Sequence, residues 1–316
     1  MAGEFQMDAL LPADMAAKAE QLGVRKAHLK WVNMFALAVL AGAFISLGAM
    51  FATTVGAGSF SSTMPDAQGA ISTAWPPGFV RLLSGVVFTL GLILVIVGGA
   101  ELFTGNNLIV MAWANRKVST TLLLKNWAIV YLGNFAGALA TVVIMFFTRQ
   151  YTFNGGAIGL QALNIANTKS GLDFMQAIAL GIMCNALVCM AVWLTYSARS
   201  TTDKIMAIIP PIAAFVAAGF EHSIANMYFI PLGLAIKYGD PAFYAQAVAK
   251  VGKGFASLDV TNMFVNNLIP VTIGNVIGGA VMVGAVYWFI YLRQHRQPKL
   301  EVEARSSSSA AADSQH

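Results

Sequence analysis

Three ionisable side chains lie inside long apolar blocks of this chain: Glu101, Glu221 and His222. Such groups are costly at membrane depth and usually serve a function. Each glutamate is followed five residues later by an asparagine, Asn106 and Asn226. Gly98-Gly99 and Gly105 flank the first and Gly219 precedes the second, and glycine permits the backbone geometry of a helix break. A carboxylate at a break can accept hydrogen bonds from freed backbone N–H groups. Glu101, Glu221 and Asn226 are therefore expected to be structural at the breaks. His222 stands where the first break has Leu102. A symmetric scaffold needs no imidazole there, so the asymmetry points to function. The competing reading is a buried histidine donating to a carbonyl. An imidazole takes up or releases a proton near neutral pH. Phe103, Thr104 and Phe215 supply apolar bulk and a hydroxyl, and Phe88 and Leu92, one turn apart, share a helix face. Ordinary packing explains that spacing equally well.

No other chemistry is visible. There is no phosphate-binding glycine loop, no metal-ligand cluster and no nucleophile–base pair, so no cofactor, metal or enzymatic reaction is expected. Cys184 and Cys189 are too few for a disulfide scaffold. Five residues apart, they fall on different helix faces and read as small core hydrophobes.

The elements that must position these residues are membrane spans. Of 316 residues, 57% are hydrophobic and 10% charged, against about 25% charged in soluble domains. That excludes a soluble enzyme and a disordered chain. The net charge of +5 is spread in short clusters between apolar blocks, unlike the basic stripe of a nucleic-acid binder. Uncharged apolar runs occur at 31–56, 126–148, 174–198 and 260–292, each long enough to cross a bilayer. Leu82 to Asn115 and Ile205 to Ile236 are interrupted only by Glu101 and by Glu221-His222. As unbroken helices they would run about 50 Å, against a hydrocarbon core of about 30 Å. The count is six spans, the second and fifth broken.

Residues 1–30 hold no cleavable signal peptide by pattern, and Ala13 to Val24 reads as an amphipathic helix on the membrane surface. Residues 31–292 form the six-span unit. Residues 293–316 read as a basic, then disordered tail. With six spans, the termini and the loops after spans two and four share a side that carries thirteen Lys and Arg, against six opposite. The positive-inside rule places both termini in the cytoplasm.

The halves echo each other. Asn126 precedes Gly133-Asn134 as Asn267 precedes Gly274-Asn275, and Gly137 and Gly278 follow at equal distances. Leu47-Gly48-x-Met50 matches Leu180-Gly181-x-Met183. Three spans per repeat force the two halves to be inverted, which places a transport site near the midplane where half-helices converge.

The runs Gly99-Ala100-Glu101-Leu102-Phe103-Thr104, Lys125-Asn126-Trp127, Gly219-Phe220-Glu221-His222-Ser223-Ile224-Ala225-Asn226-Met227 and Asn267 to Asn275 resemble the formate/nitrite transporter family. The resemblance covers about residues 8–292 and is closest to its formate channel branch. It implies an all-α, aquaporin-like protomer in a homopentamer, with one pore per protomer and cytoplasmic termini in the cell membrane. It further implies that Leu102, Phe103 and Thr104 lie on the loop breaking span two. Phe88, Leu92 and Phe215 would form apolar constrictions. His222 would sit between them, supported by Thr104 with Asn185 nearby, and Lys169 would line the extracytoplasmic vestibule. Proximity of the N-terminal helix to the cytoplasmic mouth suggests a pH-sensitive gate. The expected solute is formate, moved as the anion or with a proton as formic acid; nitrite and hydrosulfide are alternatives within the family. A neutral-solute pore would show Asn-Pro-Ala boxes at the breaks, and a redox subunit several intramembrane histidines; neither pattern is present.

Overall fold

The computed structural model describes residues 9–57, 62–66, 69–73, 76–252 and 254–293. The expected tail beyond residue 293, the first eight residues and Lys253, one of the charges in the topology count, lie outside the described residues.

The chain runs through α1 (Pro12–Ala27), α2 (Trp31–Ala57), a hairpin of β1 (Ser62–Asp66) and β2 (Gly69–Thr73), and α3 (Pro77–Gly98). Then come α4 (Phe103–Asn106), α5 (Val110–Ala114), α6 (Thr120–Phe147), α7 (Ala157–Ser170), α8 (Phe174–Ser197), α9 (Thr201–Ala218), α10 (Ser223–Gly239) and α11 (Pro241–Val251). A last helical span with π-type turns covers Val260–Leu292. Among the described residues, six helices are long and apolar enough to cross a bilayer: α2, α3, α6, α8, α9 and the last span. Their starts are set locally. Ser119 Oγ accepts the Leu122 N–H at α6, and Ser200 with Asp203 forms a capping box on α9, satisfying donors that a first turn leaves free.

Both breaks fall at the expected places. α3 stops at Gly99 (φ 76°) and α9 at Gly219 (φ 78°), left-handed conformations open to glycine without a side-chain clash. Extended residues, Leu102 (φ −107°) and His222 (φ −109°), then launch α4 and α10. Glycine also sets the closest helix contacts. A Cβ on Gly137 would overlap the Val39 carbonyl of α2, and one on Gly278 would overlap the Ile182 carbonyl of α8. Small residues at such crossings let backbones approach in a membrane.

α1 differs from the surface helix read from the sequence. Met15, Ala16 and Ala19 are buried in a cluster with Leu108, Met111, Trp193 and Val283, so its apolar face packs on protein. It enters α2 as α7 enters α8. The repeating unit is thus a short helix plus three spans, and residues 12–27 belong to the first repeat. Three spans separate α1 from α7, so the two lie on opposite faces, here called inner (α1) and outer (α7).

Candidate functional site

The two breaks are held by one lattice of bonds, built twice. At the inner break Glu101 accepts from Lys26 Nζ at 2.9 Å and from Asn106 Nδ2 at 2.7 Å. At the outer break Glu221 accepts from Lys169 Nζ at 2.8 Å and from Asn226 Nδ2 at 2.7 Å. Asn106 and Asn226 each also donate to an asparagine of the third span in their repeat, Asn126 at 3.0 Å and Asn267 at 2.7 Å. Asn126 donates to the Lys26 carbonyl and Asn267 to the Lys169 carbonyl.

The carboxylates do not receive the N–H groups freed by the breaks, as the sequence had suggested. Those donors go to side-chain amides: Phe103 N–H to Asn134 Oδ1 and Ser223 N–H to Asn275 Oδ1, both at 2.9 Å. Each of these asparagines also donates to the carbonyl of its break glutamate. An amide carries acceptor and donor together, so one side chain can stitch both sides of an interrupted backbone. A carboxylate cannot donate when ionised, and here it is taken up by the lysine and amide hydrogens.

The lattices differ in two bonds: Lys26 Nζ also donates to Asn106 Oδ1 at 2.9 Å, whereas the matching Asn226 Oδ1 is buried without a partner among the described residues, and Asn267 Nδ2 also donates to Glu221 Oε2 at 3.2 Å. The chemistry differs at the two residues that meet in the middle. His222 Nε2 lies 3.0 Å from Thr104 Oγ1, and both residues are buried. His222 Nδ1 accepts the Ala225 N–H at 3.1 Å, capping α10. Nδ1 therefore carries no hydrogen, the ring hydrogen is on Nε2, and Nε2–H donates to Thr104 Oγ1. The Thr104 hydroxyl hydrogen is left to donate elsewhere. Behind it, Asn185 Nδ2 lies within hydrogen-bonding distance of the Thr104 carbonyl, Asn107 Oδ1 and the Asn275 carbonyl. Cys189 Sγ donates to the same Thr104 carbonyl at 3.3 Å.

Two cavities lie to either side of this pair; His222 lines the outer one, and Thr104 lines neither. The inner one, about 410 Å³, is lined by Leu92, Leu102, Glu101 and Lys26. The outer, about 570 Å³, is lined by Phe88, Phe215, His222, Glu221, Asn226 and Lys169. Phe88 and Phe215 meet edge to face at 5.6 Å, and Phe215 stacks on His222 at 5.9 Å. The arrangement brings together Phe88, Phe215, His222 and Thr104, with Asn185 beneath, and puts Leu92 and Leu102 on the other side. Phe103 is placed apart. Its ring packs on Tyr131 and Trp127 of α6, at 5.0 and 6.2 Å, and lines neither cavity; the N–H bond to Asn134 anchors it toward that helix.

A family model described as formate/nitrite transporter matches residues 13–289. The chain is 44% identical over 296 residues to the formate channel FocA of Escherichia coli (strain K12), covering 93% of this chain and 99% of that one. It is 39% identical to the formate channel FocA of Haemophilus influenzae, over 87% of this chain and 93% of that one. The chain belongs to the formate/nitrite transporter family. Among solved structures, a pentameric formate channel with formate bound superposes with a TM-score of 0.73 at 45% identity, covering 83% of this chain and 98% of that one.

In this family member the sequence reading missed Lys26, Asn134, Asn275, Asn107 and Cys189. Lys26 was hidden by the match of Leu47-Gly48 to Leu180-Gly181, which the structure overturns: the Glu101 N–H donates to the Leu37 carbonyl and the Glu221 N–H to the Leu180 carbonyl, so Leu37 is the counterpart of Leu180 and Lys26 that of Lys169. Asn134 and Asn275 were visible as echoes of the repeat, without the role that the bonds give them.

Proposed function

We propose that this chain is a formate channel of the cell membrane that assembles as a homopentamer, with both termini in the cytoplasm. The relatives' formate-channel character, the pentameric neighbour and the excess of basic residues on the α1 face support this reading. One observation carries the mechanism: the buried Thr104–His222 pair is a polar contact between the outer cavity, which His222 lines, and the inner cavity, which Leu102 and Gly105 line on either side of Thr104 in the chain.

A bare carboxylate would lose most of its hydration in the slit between Phe88–Phe215 and Leu92–Leu102, at a cost of several kcal/mol. Loss of hydration raises its affinity for a proton. The Thr104 hydroxyl, turned outward because Nε2–H fills its acceptor side, donates to one formate oxygen. A proton reaching the imidazole is taken up at Nδ1, at the expense of the Ala225 N–H bond. The Nε2 hydrogen then passes to Thr104 Oγ1 as the threonine hydrogen passes to formate. Formic acid leaves through the far constriction without a charge to desolvate. The neutral ring ends with its hydrogen on Nδ1; uptake of a proton at Nε2 and release of the Nδ1 proton to water return it to the resting tautomer and restore the cap, with no net proton consumed in that step. Lys26 and Lys169 border the two cavities and offset part of the anion's cost of entry.

Formate flux into proteoliposomes tests this with His222→Phe and Thr104→Val. Flux should fall at least ten-fold in the first and clearly in the second, with assembly in detergent unchanged. Wild-type flux and pH dependence in His222→Phe would remove His222 from the mechanism. Flux of nitrite or hydrosulfide without formate would overturn the substrate.

A further inference from the structure

The repeat that duplicates the breaks does not duplicate the charges around them. The bonds to the break glutamates fix which residues correspond: Lys26 with Lys169 and Glu101 with Glu221. Stepping back equally along α1 and α7 pairs Arg25 with Thr168 and Lys18 with Gln161. Stepping back equally along α9 and α3 pairs Lys204 with Ser84. Lys18, Arg25 and Lys204 all line the inner cavity. Their neutral counterparts Gln161, Thr168 and Ser84 all line the outer one. The correspondence is therefore spatial as well as sequential.

Lys26 and Lys169 each face a carboxylate within 3 Å, so an approaching anion meets a dipole there more than a charge. What remains differs between the faces. The charged lining of the inner cavity is Lys18, Arg25, Lys26 and Lys204 against Glu101, a formal +3, with Tyr196 neutral. The outer lining holds Arg81 and Lys169 against Glu221, with His222 neutral, a formal +1. The Arg25 and Lys204 side chains have no hydrogen-bond or ion-pair partner among the described residues. Lys18 donates to the Tyr196 carbonyl, which leaves its charge intact.

We infer that the channel captures its anion asymmetrically: Arg25, Lys204 and Lys18 make the inner mouth the higher-affinity entrance. A passive pore cannot turn this into net pumping, since unequal mouths leave the equilibrium untouched. They change the concentration at which each side saturates. A unit charge about 10 Å away in water attracts an anion weakly, and cavity walls of low dielectric strengthen the field. Two such charges together shift half-saturation by roughly three-fold at low ionic strength, and salt near 1 M, where the Debye length is about 3 Å, removes the shift. This inference rests on the formate reading. It goes beyond placing basic residues on the cytoplasmic side, since topology requires only their loop position and not their place in the cavity wall.

The test is radiolabelled formate entry into membrane vesicles of both orientations, with the α1 face located by protease cleavage ahead of Pro12. Wild type should half-saturate at a lower concentration from the α1 face. The Arg25→Thr/Lys204→Ser double variant, which copies the outer residues, should raise that value about three-fold and leave the outer value alone. The mirror variant, Ser84→Lys/Thr168→Arg, should lower the outer value, and it decides the matter if the first variant fails to fold. All shifts should vanish at high salt. Unchanged inner half-saturation, equal shifts from both faces, or shifts that persist in salt overturn the inference. Absence of saturable formate entry in wild type would instead overturn the formate reading.

Discussion

After Glu101 the chain continues with Leu102, Phe103 and Thr104; after Glu221 it continues with His222, Ser223 and Ile224. Around both triplets the backbone is held by the same asparagines, the same carboxylate and the same lysine. The scaffold was duplicated and kept, and the chemistry was placed in the few positions that the scaffold does not use. A histidine opposite a threonine is available because a leucine and an isoleucine occupy the mirror positions. Neither break could supply both partners alone.

If the lattices are alike, parallel substitutions should behave alike except where burial differs, and the break carboxylates give the largest effect. Glu221→Ala strands Lys169, whose side chain is 15% exposed, whereas Glu101→Ala leaves Lys26, at 32% exposed, still donating to Asn106 Oδ1. Removing one partner of a buried pair costs roughly 3–5 kcal/mol. Glu221→Ala should approach that range, and Glu101→Ala should fall well short because water reaches Lys26. Thermal unfolding of the detergent-solubilised protein measures both, and equal losses would break the comparison.

A middle-sized effect is expected at the amides. Asn134→Ala and Asn275→Ala each leave a buried N–H and two carbonyls without their partner, at about 1–3 kcal/mol per unmet group. The two losses should agree within about 1 kcal/mol. A larger gap would show that one break is held by something the other lacks.

The smallest effect distinguishes the connections outside the membrane. At the outer side Asp240 accepts the Phe243 N–H and the Tyr151 hydroxyl, which together hold its carboxyl below the usual carboxylate range. Its contribution is complete above the unfolded carboxyl value near pH 4. It is lost as pH falls through the lower folded value. The inner connection starts α6 with Ser119, which does not titrate. Acid should therefore speed hydrogen exchange at the Phe243 amide before the Leu122 amide, and Asp240→Asn should remove the difference. Simultaneous loss at both amides would contradict it.

What could be read in the sequence follows a physical divide. Spans, breaks and His222 were legible because each is an exception within an apolar background: a charge, a glycine pair or an imidazole where lipid chemistry forbids one. Lys26 was not, because it is one of four cations before the first span, and only the docking of α1 selects it. Asn134 was legible as a repeat mark but not as a cap, since its bond to Phe103 joins residues on different helices. The direction of the Phe103 ring was illegible for the same reason. It depends on how α4 meets α6, which no local pattern encodes.

The asparagine stitches bear on how the chain is made. Asn134 and Asn275 lie on α6 and the last span, each synthesised after the break it closes. Until those spans arrive, the open backbone at 99–102 and 219–222 would face lipid with unmet donors and acceptors, which hydrocarbon does not tolerate. Each broken span must therefore wait, shallow or within the insertion machinery, for the span that follows it. The order of synthesis thus makes each three-span half a unit of biogenesis, completed in turn.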